Sequence, residues 1–149
     1  PNALKLPKTA LPDSLDFSFS GLKTAFLSYV NTQNMKGLPI CREDAAASFT
    51  QAVVSAIIQK SEQALDITGA SKLVLAGGVS ANSHLRNAVT ELCKKKNVSL
   101  YLPPLSLCGD NAAMIGAAAY YEYQSGARAD CSLNAFAAHG IEELKLVRN

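Results

Sequence analysis

A chain of 149 residues, 48% of them hydrophobic, has enough material for one globular unit with its own core. Its 14 Lys and Arg against 12 Asp and Glu leave a net charge of +2, far from the dense basic footprint of a dedicated nucleic-acid-binding domain. No apolar run reaches bilayer length, no signal-peptide pattern is visible, and the four cysteines (Cys41, Cys93, Cys108, Cys131) form neither CxxC pairs nor a disulfide scaffold, so a reducing cytoplasmic setting without membrane attachment is expected.

Residues 1–16 carry three prolines and few periodic apolar positions, and read as an extended lead-in. The chain opens on Pro1 and is expected to be part of a longer polypeptide. In DFSFSGLKT the alternation puts Phe17 and Phe19 on one side, and Ser20 is placed to cap a helix running to about Val30. NTQNMKGLP then reads as loop, punctuated by Gly37 and Pro39. Ala45, Phe49, Val53, Ala56 and Ile57 recur at helical spacing over residues 42–68, with Glu43 and Asp44 in the first turn and Gly69 as the terminator. Beyond it the pattern alternates: strand 72–76, helix 82–96 closing on Lys94, Lys95 and Lys96, strand 98–102, helix 110–124, and Gly126. A strand–helix–strand connection of this length predicts a parallel pair, and parallel sheets need more neighbours and cover on both faces. The chain therefore reads as the second half of an α/β domain, in three stretches. These are a lead-in and helical segment over 1–70, a βαβα unit over 71–126, and a return segment and tail over 127–149.

Ligands of open α/β sheets sit beyond the carboxyl ends of the strands. The loops there are AGGVSAN and PPLSLCGDN. Gly77 and Gly78 allow either a tight turn or a main-chain surface that a ligand can approach without meeting a Cβ. Asn82 suits a helix cap or a hydrogen bond to a sugar or base, and Ser80 adds a donor. Asp110, just ahead of NAAMIGAAAYY, reads as an N-cap or as a carboxylate held at the cleft for a metal. The run of small residues behind it, Ala112 to Ala119, suggests close packing against another element. Ser18, Ser20 and Lys23 form a further polar cluster, read first as a cap and a solvated lysine, and the lysines at 94–96 suit the negative end of their helix. The histidines, His84 and His139, are too far apart for a local HxxxH pair, and no GxSxG elbow or nucleophile–base pair is present.

With DFSFSGLKT, LVLAGGVSANSHLR and LCGDNAAMIG in this order, residues 15–126 resemble the TsaD family (also YgjD or Gcp), in its bacterial or organellar branch. These are tRNA N6-adenosine threonylcarbamoyltransferases, once named O-sialoglycoprotein endopeptidases. The resemblance implies an actin-like ATPase (ribonuclease H-like) fold, of which this chain would form the C-terminal part. It implies transfer of threonylcarbamoyl from threonylcarbamoyl-AMP to N6 of adenosine 37 in tRNAs reading codons that begin with A. By similarity Gly77, Gly78 and Asn82 would line the ATP or threonylcarbamoyl-AMP pocket, and Asp110 would ligate iron or zinc. No catalytic residue is assigned. Two departures accompany it: Gly109 stands where the family usually has Thr, and the HxxxH motif that completes the metal site belongs to a part of the family absent here. Since a catalytic metal site needs about three protein ligands, the chain alone is expected to be inactive. tRNA and TsaB- and TsaE-like proteins are the implied partners. The alternatives are an ATP-binding member of the actin-like superfamily or a non-catalytic partner module, with a metallo-glycoprotease weakest.

Overall fold

A computed structural model describes residues 4–7 and 14–134. Helix α1 (Ser20–Met35) and the long α2 (Arg42–Thr68) precede β1 (Lys72–Val74), α3 (Ser83–Lys96), β2 (Ser99–Tyr101) and α4 (Ala112–Gln124). Short 3-10 turns, Gly78–Ala81 and Leu105–Leu107, follow the strands. The two strands pair in parallel with Leu73 opposite Leu100, as the alternating pattern predicts for this α/β arrangement.

The core lies between α2, α3 and one face of this pair. Val54, Leu85, Val89 and Cys93 are buried together, with Ile57, Leu73, Leu75, Val98 and Leu100 packed against them. Burial raises the Cys93 thiol above its ordinary range, which makes it a core side chain rather than a reactive one. Gly69 ends α2 with φ +61° and donates its N–H to the Leu65 carbonyl at 2.9 Å, the left-handed stop expected there. At ~1.5 Å per residue, α2 is about 40 Å long and overhangs the three-residue strands it crosses.

The opposite sheet face is left open by the described residues. Val74 is 68% exposed and Tyr101 52%. No residue of α4 is buried, although the helix carries Met114, Ile115 and three tyrosines. The close packing that its small residues suggested is therefore not made within the described residues.

Several boundaries differ from the sequence reading. Ser20 is not the cap of α1: it is the first helical residue, Phe19 takes the cap position, and the Ser20 hydroxyl lies 3.3 Å from that of Ser18. Lys23 is exposed in the first turn. Helix α1 runs past Val30 to Met35 because its polar end has no breaker before Gly37 (φ +64°), and Thr32 returns its hydroxyl to the Ser28 carbonyl at 2.8 Å. Both strands are shorter than expected, each having a single neighbour. Phe17 and Phe19 do share a side, with ring centroids 5.7 Å apart. Leu4 and Ser14 tie the extended lead-in to α2 through the Ser48 hydroxyl and the Lys60 ammonium group. His139 and most of the 127–149 segment lie outside the described residues.

The lysine run is structural. Lys95 meets Glu62 at 3.1 Å and Lys96 meets Asp66 at 2.6 Å, clasping the end of α3 to α2. Hydrogen bonds from Lys95 and Lys96 hold the Glu62 carboxyl below its usual value. A depressed carboxyl stabilises the fold above its unfolded pKa and loses that contribution as pH falls through the folded value. Glu62→Gln is expected to lower the melting temperature slightly at neutral pH, with the difference vanishing in acid and shrinking in high salt, as thermal melts across pH and salt will show.

Candidate functional site at the strand ends

Both strand-end loops lie at the same edge of the sheet, as parallel pairing requires. The first leaves β1 through Ala76 into Gly77, whose φ of +88° and ψ of 170° fall in a region that side chains essentially exclude. Gly77 is thus demanded by the backbone. Gly78 is not: its φ is ordinary, and an added Cβ would meet no atom within 4 Å. The described chain supplies no internal reason for the second glycine.

The turn then buries Ser80, whose N–H donates to the Gly77 carbonyl at 2.9 Å. The Ser80 hydroxyl is buried without a partner among the described residues, and an unmet buried polar group costs about 1–3 kcal/mol. Asn82 caps α3, its Oδ1 accepting from the Leu85 N–H at 3.0 Å. The cap reading of Asn82 is correct, and it consumes only the oxygen. The two N–H donors of the exposed amide have no acceptor among the described residues.

The second loop corrects the reading of Asp110 as a cap. The cap of α4 is Asn111, which accepts from the Met114 N–H at 3.0 Å and donates back to the Gly109 carbonyl at 2.9 Å. Asn111 does both because its amide offers an acceptor and donors, whereas a carboxylate only accepts. Asp110 stays exposed, with no hydrogen bond or ion pair to any described residue.

Arg86 links the loops, and the sequence reading passed over it. Its Nε donates to the Ser80 carbonyl at 2.6 Å, and its Nη2 to the Pro103 carbonyl at 2.8 Å and the Cys108 sulfur at 3.0 Å. The available signal was its place one turn after the Asn82 cap, which aims its side chain back over the glycine loop.

Two features show what the chain does not supply alone. An apolar groove of about 130 Å³ between α2 and α3 reaches the loop at Val79 and Asn82. Small-molecule sites usually enclose about 300–1,000 Å³, so it is too small to seat a whole nucleotide. Among the described residues no three His, Cys, Asp or Glu side chains come together, so they do not build a metal centre and Asp110 is at most one ligand of one. No described helix is long and apolar enough to cross a membrane.

The two glycines test the loop separately. Gly77→Ala is expected to cost about 1–3 kcal/mol through backbone strain alone. Gly78→Ala is expected to leave the melting temperature nearly unchanged and, on the nucleotide-pocket role that the resemblance implies, to weaken nucleotide binding. Thermal melts and titration calorimetry on the complete protein check both.

Comparison with known proteins places the chain in a family. Residues 2–117 match the family described as TsaD, tRNA N6-adenosine threonylcarbamoyltransferase. The enzyme of that name from Clostridium botulinum strain 657 is 47% identical over 134 residues, covering 89% of this chain and 39% of the relative. Those from Bacillus cereus strain ZK and Clostridioides difficile strain 630 are also 47% identical, covering 93% and 90% of this chain and 41% and 40% of their own lengths. The chain thus spans about two fifths of the curated relatives it matches and corresponds to their C-terminal portion. With the family match running over residues 2–117, both strand-end loops included, and covering most of its length, this chain belongs to the TsaD family of tRNA N6-adenosine threonylcarbamoyltransferases.

Proposed function

We propose that the complete protein transfers threonylcarbamoyl from threonylcarbamoyl-AMP to N6 of adenosine 37 in tRNAs reading codons that begin with A. In this reading, the chain forms the C-terminal part of an actin-like lobe, with 71–126 as the unit carrying the site. The observation that carries it is the joining of the glycine loop and the loop bearing Asp110 by one guanidinium, in a chain whose family match spans both.

In this reading Gly77 and Gly78 let the nucleotide lie against main chain, and the free donors of Asn82 hydrogen-bond to it. The unpartnered Ser80 hydroxyl is a second group suited to a polar ligand. The acceptor amine of adenosine attacks the threonylcarbamoyl carbonyl, a carbon–nitrogen bond forms as the bond to the AMP phosphate oxygen breaks, and the amine proton is lost. The contribution of this chain is to hold the donor nucleotide in place, since positioning by itself removes much of such a barrier. Asp110 would provide one carboxylate toward an iron or zinc ion whose other ligands lie outside the described residues. The bare sheet face and α4 are where the rest of the protein packs. TsaB- and TsaE-like proteins and tRNA are the proposed partners, and the cytoplasm the proposed location.

The test is a tRNA modification assay with the complete protein, threonylcarbamoyl-AMP and a tRNA reading ANN codons. Formation of threonylcarbamoyladenosine is the expected result. Phosphate release from added ATP, with no tRNA modification from threonylcarbamoyl-AMP, would replace this reading with that of an ATP-hydrolysing member of the superfamily.

A further inference from the structure

We propose that Arg86 is a positioning residue that locks the glycine loop and the Asp110 loop into one rigid unit, fixing the nucleotide ledge relative to the carboxylate. The proposal rests on the reading above that these loops serve one site. Three acceptors converge on one side chain: the Ser80 carbonyl six residues back, the Pro103 carbonyl seventeen ahead and the Cys108 sulfur twenty-two ahead. None is a position on the Arg86 helix, and the contacts to Pro103 and Cys108 are long-range, so the side chain joins segments that share no backbone ladder at this level. The β1–β2 hydrogen bonds end where the Leu75 N–H meets the Tyr101 carbonyl at 3.1 Å. Beyond that point Arg86 is the side chain that bridges the strand-end loops among the described residues.

Residue type matters here. A guanidinium is always charged and presents a planar fork of donors, so it can serve diverging acceptors at once. A lysine ammonium at the same place cannot cover the same spread. Hydrogen bonds from a charged donor are roughly twice as strong as neutral ones, although a buried sulfur is a weak acceptor. The Cys108 side chain is 4% exposed, and its loop continues directly into Gly109 and Asp110. Withdrawing Arg86 leaves the Ser80 and Pro103 carbonyls without this donor and frees each loop to move independently. A displacement of 1 Å in a reacting group can cost about 100-fold in rate, so such a clamp matters for chemistry more than for folding.

The test uses the complete protein with Arg86→Gln and Arg86→Lys. Hydrogen exchange of the Ser80 and Asn82 amides in one loop, and of Leu107 and Cys108 in the other, reads the clamp directly, since each is hydrogen-bonded within its own turn. Exchange is expected to accelerate at least about tenfold in both loops together for Arg86→Gln and less for Arg86→Lys. In the transfer assay kcat is expected to fall about 100-fold for Arg86→Gln with a smaller change in KM, and Arg86→Lys to recover part of the loss. Unchanged exchange in either loop, or a lower melting temperature with kcat unaltered, overturns the proposal. Accelerated exchange of both loops in Arg86→Gln, beside a wild-type protein that modifies no tRNA, instead overturns the function proposed above and leaves the clamp standing.

Discussion

Asn82→Asp is expected to leave α3 as stable as before and to weaken nucleotide binding by about 10- to 150-fold, the factor for losing a charged-group hydrogen bond of about 1.5–3 kcal/mol. The substitution separates two jobs that one side chain performs. Asp caps helices as well as Asn, so the acceptor for the Leu85 N–H survives. What disappears is the pair of amide donors, and a negative charge replaces them in front of an anionic ligand. Asn82→Ala should show both losses, with about 0.5–2 kcal/mol of helix capping added to the binding defect. Thermal melts and calorimetric nucleotide titrations of the complete protein decide it. Equal affinities for wild type and Asn82→Asp would reduce Asn82 to a cap and nothing more.

The second large effect falls on Asp110. Because Asn111 performs the capping of α4, Asp110→Ala should cost no more than the dipole interaction of a carboxylate near a helix N-terminus, about 0.3–1 kcal/mol. Metal content should nevertheless collapse. Outer partners of metal ligands cost about 10–100-fold in affinity or activity when removed, and a direct ligand should cost more than that. Asn111→Ala is the matched control. It should lose about 1 kcal/mol of capping while the complete protein keeps its iron or zinc. Elemental analysis beside thermal melts separates the two. Undiminished metal in Asp110→Ala would remove the residue from the site.

These two loops sit on a body that leaves much apolar surface open. Fully burying a side chain such as Val74 or Ile115 contributes about 1.5–3 kcal/mol, and the described chain forgoes that gain across one sheet face and all of α4. A parallel pair with one covered face is half of a normal α/β arrangement. The chain spans about two fifths of the curated relatives it matches.

Much of this was legible in the residues themselves. The period of Ala45, Phe49, Val53 and Ala56 and the stop at Gly69 defined α2 to the residue, because apolar spacing and a left-handed terminator are local properties. The alternation of strand and helix announced the parallel pair, and Asn82 announced its cap. Capping at the last helix was not legible, since GDNAA offers adjacent candidates and only the backbone path chose Asn111 and left Asp110 exposed. The role of Gly77 against Gly78 also needed coordinates, because a glycine pair reads the same whether φ or space demands it. For Arg86 the sequence carried its place one turn after the Asn82 cap, but its contacts to the second loop belong to the tertiary level. Its acceptors lie six to twenty-two residues away, and only parallel pairing of β1 with β2 brings those loops within reach of one guanidinium. Local periodicity determined the elements and their ends; the folding of distant loops onto one edge decided which side chains meet there.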